Sequence, residues 1–322
     1  MRRRDFIAGL GAAALPLAAR AQQAGRVARL AVVFASPKGL SHVAAFFDEL
    51  QVQGFSEGKN LQVDSIYGQS DQQVSEFLVT IAKSPPDLIF TTSDNQIRIA
   101  HQNVPDVPIV GLGGDLMASG LIHSFARPGG RVTGHNLINT ELDGKRQDIL
   151  IEAVPGARKL ALLLDTNAGM SAPAHLAELQ GTTRAHGIEP AIFEVRALGE
   201  IPPALEAIKA SGAAGVNALS SPLFLANRRI LIERTTALRL PAIFEWPEMV
   251  EEGGLLGYGA RLSGIFRQLA RQVAKALQGA KPADMPVEQA TTFELAINLK
   301  TAKAIGHEIP PGLVLRADKL VE

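Results

Sequence analysis

The residues of this 322-residue chain with usable chemistry gather in six short stretches of hydroxyls, amides, glycines and a few carboxylates. Three lie in the first half: Ala35-Ser36-Pro37-Lys38-Gly39, Thr91-Thr92-Ser93-Asp94-Asn95 and Gly111-Leu112-Gly113-Gly114-Asp115. Three lie in the second: Asp165-Thr166-Asn167-Ala168-Gly169, Ser220-Ser221-Pro222-Leu223 and Glu245-Trp246-Pro247-Glu248. Such groups suit the holding of a small polar molecule and are poor for catalysis, because the hydroxyls have no histidine partner. The candidate binding residues are Ser36, Thr92, Ser93, Asp94, Asp115, Asn136, Asp165, Asn167, Ser221, Glu245 and Tyr258. Each has a plain structural alternative. Ser93 or Asp94 can cap a helix, Asp165 can close a turn, and Trp246 and Tyr258 can pack into a core.

Other motifs fail on context. Gly54-Phe55-Ser56-Glu57-Gly58 spells a nucleophile elbow, but it follows a helical stretch and precedes a strand, the reverse of what that motif needs. Gly111-Leu112-Gly113-Gly114 lacks the third small residue of a dinucleotide turn, and Gly9-Leu10-Gly11-Ala12-Ala13-Ala14 belongs to the apolar opening of the chain. The seven histidines are never paired at metal-ligand spacing and there is no cysteine, so neither a metal nor a cofactor is expected. Most of the histidines fall on expected helices or loops, where solvated or capping roles are the default.

The elements that must position these stretches alternate. Short β-branched runs interleave with amphipathic helical segments, the pattern of an α/β chain with parallel sheets. Strands are expected at residues 27–34, 61–67, 87–92, 107–112 and 132–136, with helices at 42–53, from 70 to before Pro85-Pro86, and at 142–154. Ser70-Asp71-Gln72-Gln73 has capping-box spacing. A second series repeats the pattern, with strands at 159–164, 188–195, 215–219 and 241–244 and helices at 172–186, 201–211 and 227–238. In open parallel sheets ligands bind outside the carboxyl ends of strands, and all six stretches sit at such ends. Two lobes facing each other would bring them around one cleft.

Composition narrows the setting. Residues 2–21 carry four arginines, an apolar run from Phe6 to Leu17 and an Ala19-Arg20-Ala21 step, the layout of an export signal cleaved after Ala21. Arg3-Arg4-Asp5-Phe6-Ile7 resembles the twin-arginine pattern. Without that segment the chain keeps 28 basic and 31 acidic residues, a net charge of −3, and no basic stripe for a nucleic acid. A soluble, exported protein in the periplasm is expected. With no cysteine it has neither disulfides nor a lipid-bearing N-terminal cysteine. About 300 residues exceed what one core organises, which also points to two lobes.

The second half is identified by longer blocks. These are Arg127-Pro128-Gly129-Gly130-Arg131-Val132-Thr133-Gly134, Gly144-Lys145-Arg146, Leu240-Pro241-Ala242-Ile243, Gly253-Gly254-Leu255-Leu256-Gly257-Tyr258-Gly259, residues 279–289 and Phe293 through Lys303. They resemble the solute-binding proteins of bacterial ABC transporters, in the family with tryptophan- and other aromatic amino-acid-binding members. The resemblance implies a type I periplasmic binding protein fold, two doubly wound parallel-sheet lobes joined by three crossovers near Asn136, Tyr258 and Glu288. It implies a first lobe of residues 26–138 plus 259–285 and a second of 139–258 plus 286–322. It further implies no enzyme activity, a small polar or aromatic solute with amino acids among the candidates, a membrane permease as partner, and a monomer.

On that pattern an amino-acid carboxylate would meet Ser93 and the helix starting near Asp94, and its ammonium Asp115 or Glu245. Aromatic-binding relatives would carry a Thr-Pro turn where this chain has Thr92-Ser93-Asp94-Asn95, so Asp94 sets a like charge against a solute carboxylate. Two other readings compete. An exported two-lobed hydrolase or transferase would need a base near the cleft, for which His135 is the candidate. The sensor domain of a signalling system would share the fold and differ in its partner.

Overall fold

The computed structural model describes residues 26–68, 70–167 and 173–322. The expected export signal, residues 1–21, lies outside them, as do Ala168 and Gly169. Among the described residues no helix is long and apolar enough to cross a membrane.

The first sheet grows from strand-helix units in chain order: β1 (Ala28–Phe34), α1 (Ser41–Val52), β2 (Leu61–Tyr67), α2 (Asp71–Ala82), β3 (Leu88–Thr91), α3 (Asp94–Asn103), β4 (Ile109–Gly113) and β5 (Val132–Asn136). All pairings are parallel, in the order β2-β1-β3-β4-β5. Both faces are covered, so strand residues are apolar in both directions. Leu30, Val32 and Phe34 join one apolar cluster, while Ala31 and Val33 join another with Val74 and Leu78 of α2. The expected capping box forms: the Ser70 hydroxyl accepts from the Gln73 N–H, and the Gln73 side chain accepts from the Ser70 N–H at 3.1 Å.

The second sheet follows with α4 (Asn139–Ala153), β6 (Lys159–Asp165), α5 (Pro173–Ala185), β7 (Glu189–Val195), α6 (Ile201–Ala210), β8 (Val216–Ala218), α7 (Pro222–Ala226), α8 (Arg228–Ala237), β9 (Ala242–Phe244), α9 (Pro247–Glu251) and β10 (Leu256–Gly259). The chain then crosses back. Helix α10 (Leu262–Leu277) packs on α1 and on the first sheet, where Phe266 stacks with Phe34 at 5.8 Å and Arg271 binds Glu49 at 2.9 Å. After it, β11 (Glu288–Gln289) pairs with β5 and extends the first sheet. Residues 286 onward are expected in the second lobe; Glu288 pairs with His135 and Gln289 with Asn136 on the first sheet before the chain leaves it. The remainder, β12 (Glu294–Asn298), α11 (Leu299–Ile305), α12 (Pro311–Val314) and β13 (Lys319–Val321), completes a seven-stranded sheet in the order β13-β12-β10-β9-β8-β6-β7, with β10 and β12 antiparallel.

Three segments thus join two doubly wound α/β sheets: 137–138, 260–261 and 290–293. At the first, Ile138 has φ +44°, a left-handed conformation that a β-branched residue adopts at a cost of roughly 1–2 kcal/mol. Beside it, Gly134 has φ +142°, and a Cβ there would lie 1.8 Å from the Gly111 carbonyl oxygen. Strands β4 and β5 meet this closely only because that position is glycine.

Candidate functional site

In the first lobe the candidate residues sit at strand ends, mostly spent on the chain itself. Ser36, after β1, is buried with its hydroxyl 2.9 Å from His42 Nε2. Thr92 accepts from the Ala35 N–H at 2.7 Å, and its own N–H donates to Gln96 Oε1 at 3.1 Å, so it ties β1 to β3. Ser93 is the N-cap of α3, accepting from the Gln96 N–H at 3.2 Å. Asp94 turns sideways: its Oδ2 accepts from the Gly114 N–H at 3.0 Å and the Asp115 N–H at 3.4 Å, while Oδ1 is buried without a partner. Burial pushes its carboxyl pKa up against the pull of those two amides. Asp115 is exposed and caps the following turn through the Ala118 N–H at 2.9 Å. Asn136 is buried and accepts from the Leu116 N–H at 2.8 Å, fixing the loop after β4 against the end of β5.

The second lobe holds a buried polar network at the matching strand ends. Asp143 and Arg146, one turn apart on α4, form an ion pair at 2.6 Å with both side chains fully buried. Arg146 also donates to Ser220 Oγ at 2.8 Å and to the Tyr258 carbonyl at 2.9 Å, while His175 Nε2 lies 3.3 Å from the other Asp143 oxygen. Asp165 accepts from the Asn167 N–H at 2.9 Å and from the Ser221 hydroxyl at 2.7 Å. Ser221 in turn caps α7 through the Leu223 and Phe224 N–H groups. Glu245, after β9, is hydrogen-bonded by the Ser220 hydroxyl and the Ser221 N–H. Burial nevertheless pushes its pKa up from 4.5 to about 7, against the opposing pull of Arg146 and with a further push from Asp143. Asp165, Ser221 and Glu245 therefore come together, whereas Asn167 is exposed and binds the Arg196 carbonyl. Tyr258 sets its ring 6.2 Å from that of Phe293.

Two cavities adjoin the crossings. The larger, about 350 Å³, takes Gly114, Asp115 and Met117 from the first lobe, Asn136, Ile138 and Gln289 from the crossings, and Glu141 from α4. The smaller has about 10 Å³ of water-accessible space, enough for one water, between Leu137, Glu245, Trp246, Ala260, Ile265 and Phe293. Asp115, Asn136 and Glu245 thus line these two cavities, and the other candidates line neither. Every ionisable side chain lining either cavity is a carboxylate: Asp115, Glu141 and Glu245.

Sequence reasoning missed Asp143, Arg146 and His175 as a unit. The signal available was an Asp and an Arg three apart on one helix face, next to apolar residues. It also expected most histidines to be solvated, yet His42, His135 and His175 are buried. His135 is fully buried, its ring nitrogens have no partner, and it lines neither cavity. Desolvation lowers both His42 and His135 to about 4, with Arg228 of the second lobe adding to the effect at His42. Among the described residues no group of three or more His, Cys, Asp or Glu is placed to hold a metal ion.

A family model described as ABC transporter substrate binding protein matches residues 29–321. No curated protein matches the chain. A conserved domain protein from Vibrio cholerae superposes with a TM-score of 0.82 at 21% identity, covering 92% of this chain and 100% of that one. An ABC domain from Streptococcus pneumoniae, solved with L-Trp, gives 0.79 at 18% identity, with 91% and 99% covered. An ABC transporter solute-binding protein from Agrobacterium vitis, solved with allitol, gives 0.57 at 13% identity, with 86% and 97% covered.

Proposed function

The chain belongs to the ABC transporter substrate-binding protein family, and on that premise we propose that it is the solute-binding component of an importer, trapping a small polar or aromatic solute between its lobes by hinge closure. The observation that carries the reading is the match over residues 29–321 to a chain folded as two doubly wound sheets joined by three short crossings. Each lobe offers part of the wall, so closure is favoured when a solute bridges both. Its lobes are residues 26–138 with 259–285 and 139–258 with 286–322, adjusted so that the third crossing follows Gln289, as the pairing of β11 supports.

Candidate contacts are Ser36, Thr92, Ser93, Asp94, Asp115, Asn136, Asp165, Asn167, Ser221, Glu245 and Tyr258. Asp115, Asn136 and Glu245 have the strongest support, since they line cavities. The protein works as a monomer in the periplasm after removal of residues 1–21, hands its solute to a membrane permease, and catalyses nothing. An amino acid is one candidate solute, because the Streptococcus pneumoniae relative holds L-Trp, and a polyol is another, because the Agrobacterium vitis relative holds allitol.

A thermal-shift screen of refolded protein against amino acids, amines, aromatic acids, nucleobases, sugars and polyols tests the reading. A solute at about 100-fold over its Kd adds roughly 2.7 kcal/mol of stability. Turnover of a substrate in the absence of any stabilising solute would refute it.

A further inference from the structure

Within the solute-binding reading, on which this step rests, we infer that the solute is an organic cation: a protonated amine on an apolar or aromatic body, its charge received by Glu245, with no carboxylate needed for binding.

Three observations lead there. First, the place where the first lobe would hold a solute anion is filled by the protein. Beside the α3 N-terminus, the loop amides of Gly114 and Asp115 both donate to Asp94 Oδ2, at 3.0 and 3.4 Å. Ser93 is likewise spent as the cap of α3. Strand-end amides of this kind favour negative charge, and the chain supplies that charge from its own side chain.

Second, the walls next to the crossings have one sign. Asp115 and Glu141 line the larger cavity from opposite lobes, Glu245 lines the smaller, and no lysine, arginine or histidine lines either. A cation is the only charged solute that this lining attracts rather than repels.

Third, Glu245 is a buried carboxylate without an ion pair in the structure, although the neighbouring network has a cation to give. Arg146 turns its two terminal nitrogens to Asp143, Ser220 and the Tyr258 carbonyl, and its Nε has no partner. Glu245 is left with the Ser220 hydroxyl and the Ser221 N–H. The space it lines takes one water, which is also the size of an ammonium group, and the walls include Trp246 and Phe293, whose ring faces attract cations.

The test holds the body constant and varies the charge. Calorimetric titration at pH 8 compares tryptamine, L-tryptophan and indole-3-acetate, and in a second series butylamine, 4-aminobutyrate and butyrate. In whichever series binds, the cation should bind tightest, the zwitterion no tighter, and the anion weakest. Glu245→Gln keeps the acceptor for Ser220 and Ser221 and should weaken the amine on the order of 10- to 100-fold, the value of one charge-assisted contact. Asp94→Ala should act in the opposite direction, freeing two amides and improving the zwitterion over the amine. A zwitterion or anion that binds more tightly than its amine overturns the inference, as does amine affinity unchanged in Glu245→Gln with its melting temperature intact. Silence in both series, with stabilisation by a sugar or nucleobase, overturns it and leaves the binding reading standing. Silence toward every solute class overturns both.

Discussion

Glu245 is the residue at which placement and energetics conflict. Its pKa of about 7, raised from 4.5 by burial, means that the fold prefers it protonated. For a group raised in this way the stabilisation is full below pH 4.5 and disappears as pH rises through 7, so the ionised form costs roughly 3 kcal/mol at pH 8. Arg146, Asp143, Ser220 and Ser221 face it, and Asp165 and His175 belong to the same network. Glu245→Gln should therefore raise the melting temperature of solute-free protein at pH 8 and leave it unchanged near pH 4. A variant equally stabilised at both would mean that charge is not the cause. Carrying a destabilising charge at a cavity wall is what a binding residue does and a merely structural one need not. At this scale the sequence was partly legible. It placed Ser93, Asp94, Asp165 and Ser221 at strand ends, where they are found, but their first duty proved local: a cap, a loop tie, a turn and a second cap. Whether a short polar side chain faces solvent or its own backbone depends on loop geometry, which residue type does not encode.

Elements were read well where a period ran long enough to be seen. Strands β2 and β5 have the expected limits, and the capping box before α2 forms as the spacing of Ser70 and Gln73 predicts. Short pieces were missed: α7, α9, α12, β11 and β13 are five residues or fewer, too brief for either periodicity to register. The two-residue β11 matters most, since it sets where the last crossing begins, and only its pairing with β5 reveals it. Close strand approach was equally hidden. Gly134 reads in sequence as one more glycine, yet a Cβ there would overlap the Gly111 carbonyl at 1.8 Å. Gly134→Ala should cost on the order of 3 kcal/mol, because the obstacle is backbone and neither strand can give way. Gly156, with φ +77° and open space around its missing Cβ, is the control: Gly156→Ala should cost only about 1 kcal/mol. Urea denaturation of both variants measures the difference, and equal losses would mean that the β4–β5 contact is looser than this geometry.

For the molecule as a whole, the two lobes and the apolar residues between them respond to acid as a unit. One cluster runs from Phe34 and Phe46 through Phe266, Ile265 and Ala260 to Trp246 and Phe244, so the crossings are packed rather than free. His42 sits in it, its ring 4.7 Å from that of Phe266 and its Nε2 on the Ser36 hydroxyl. Desolvation holds its pKa near 4, and Arg228 of the second lobe, itself paired with Glu252, pushes it further down from across the lobes. A histidine depressed from 6.5 contributes stability that is complete above pH 6.5 and is lost as pH falls through 4. The sign is opposite to that of Glu245, and the two partly cancel between pH 4.5 and 6.5. His135, depressed by desolvation alone, adds a second loss on the acid side, so net stability should fall between pH 6.5 and 4. Protonating His42 also puts two like charges on facing lobes, which favours opening. In His42→Gln, whose amide can still meet Ser36, that loss should shrink by up to about 3 kcal/mol. Solute affinity at pH 5 should fall less in the variant than in the parent. Melting curves and titrations at pH 5 and 7.5 measure both, and an unchanged acid slope would place the pH response with His135 instead of the interlobe contact.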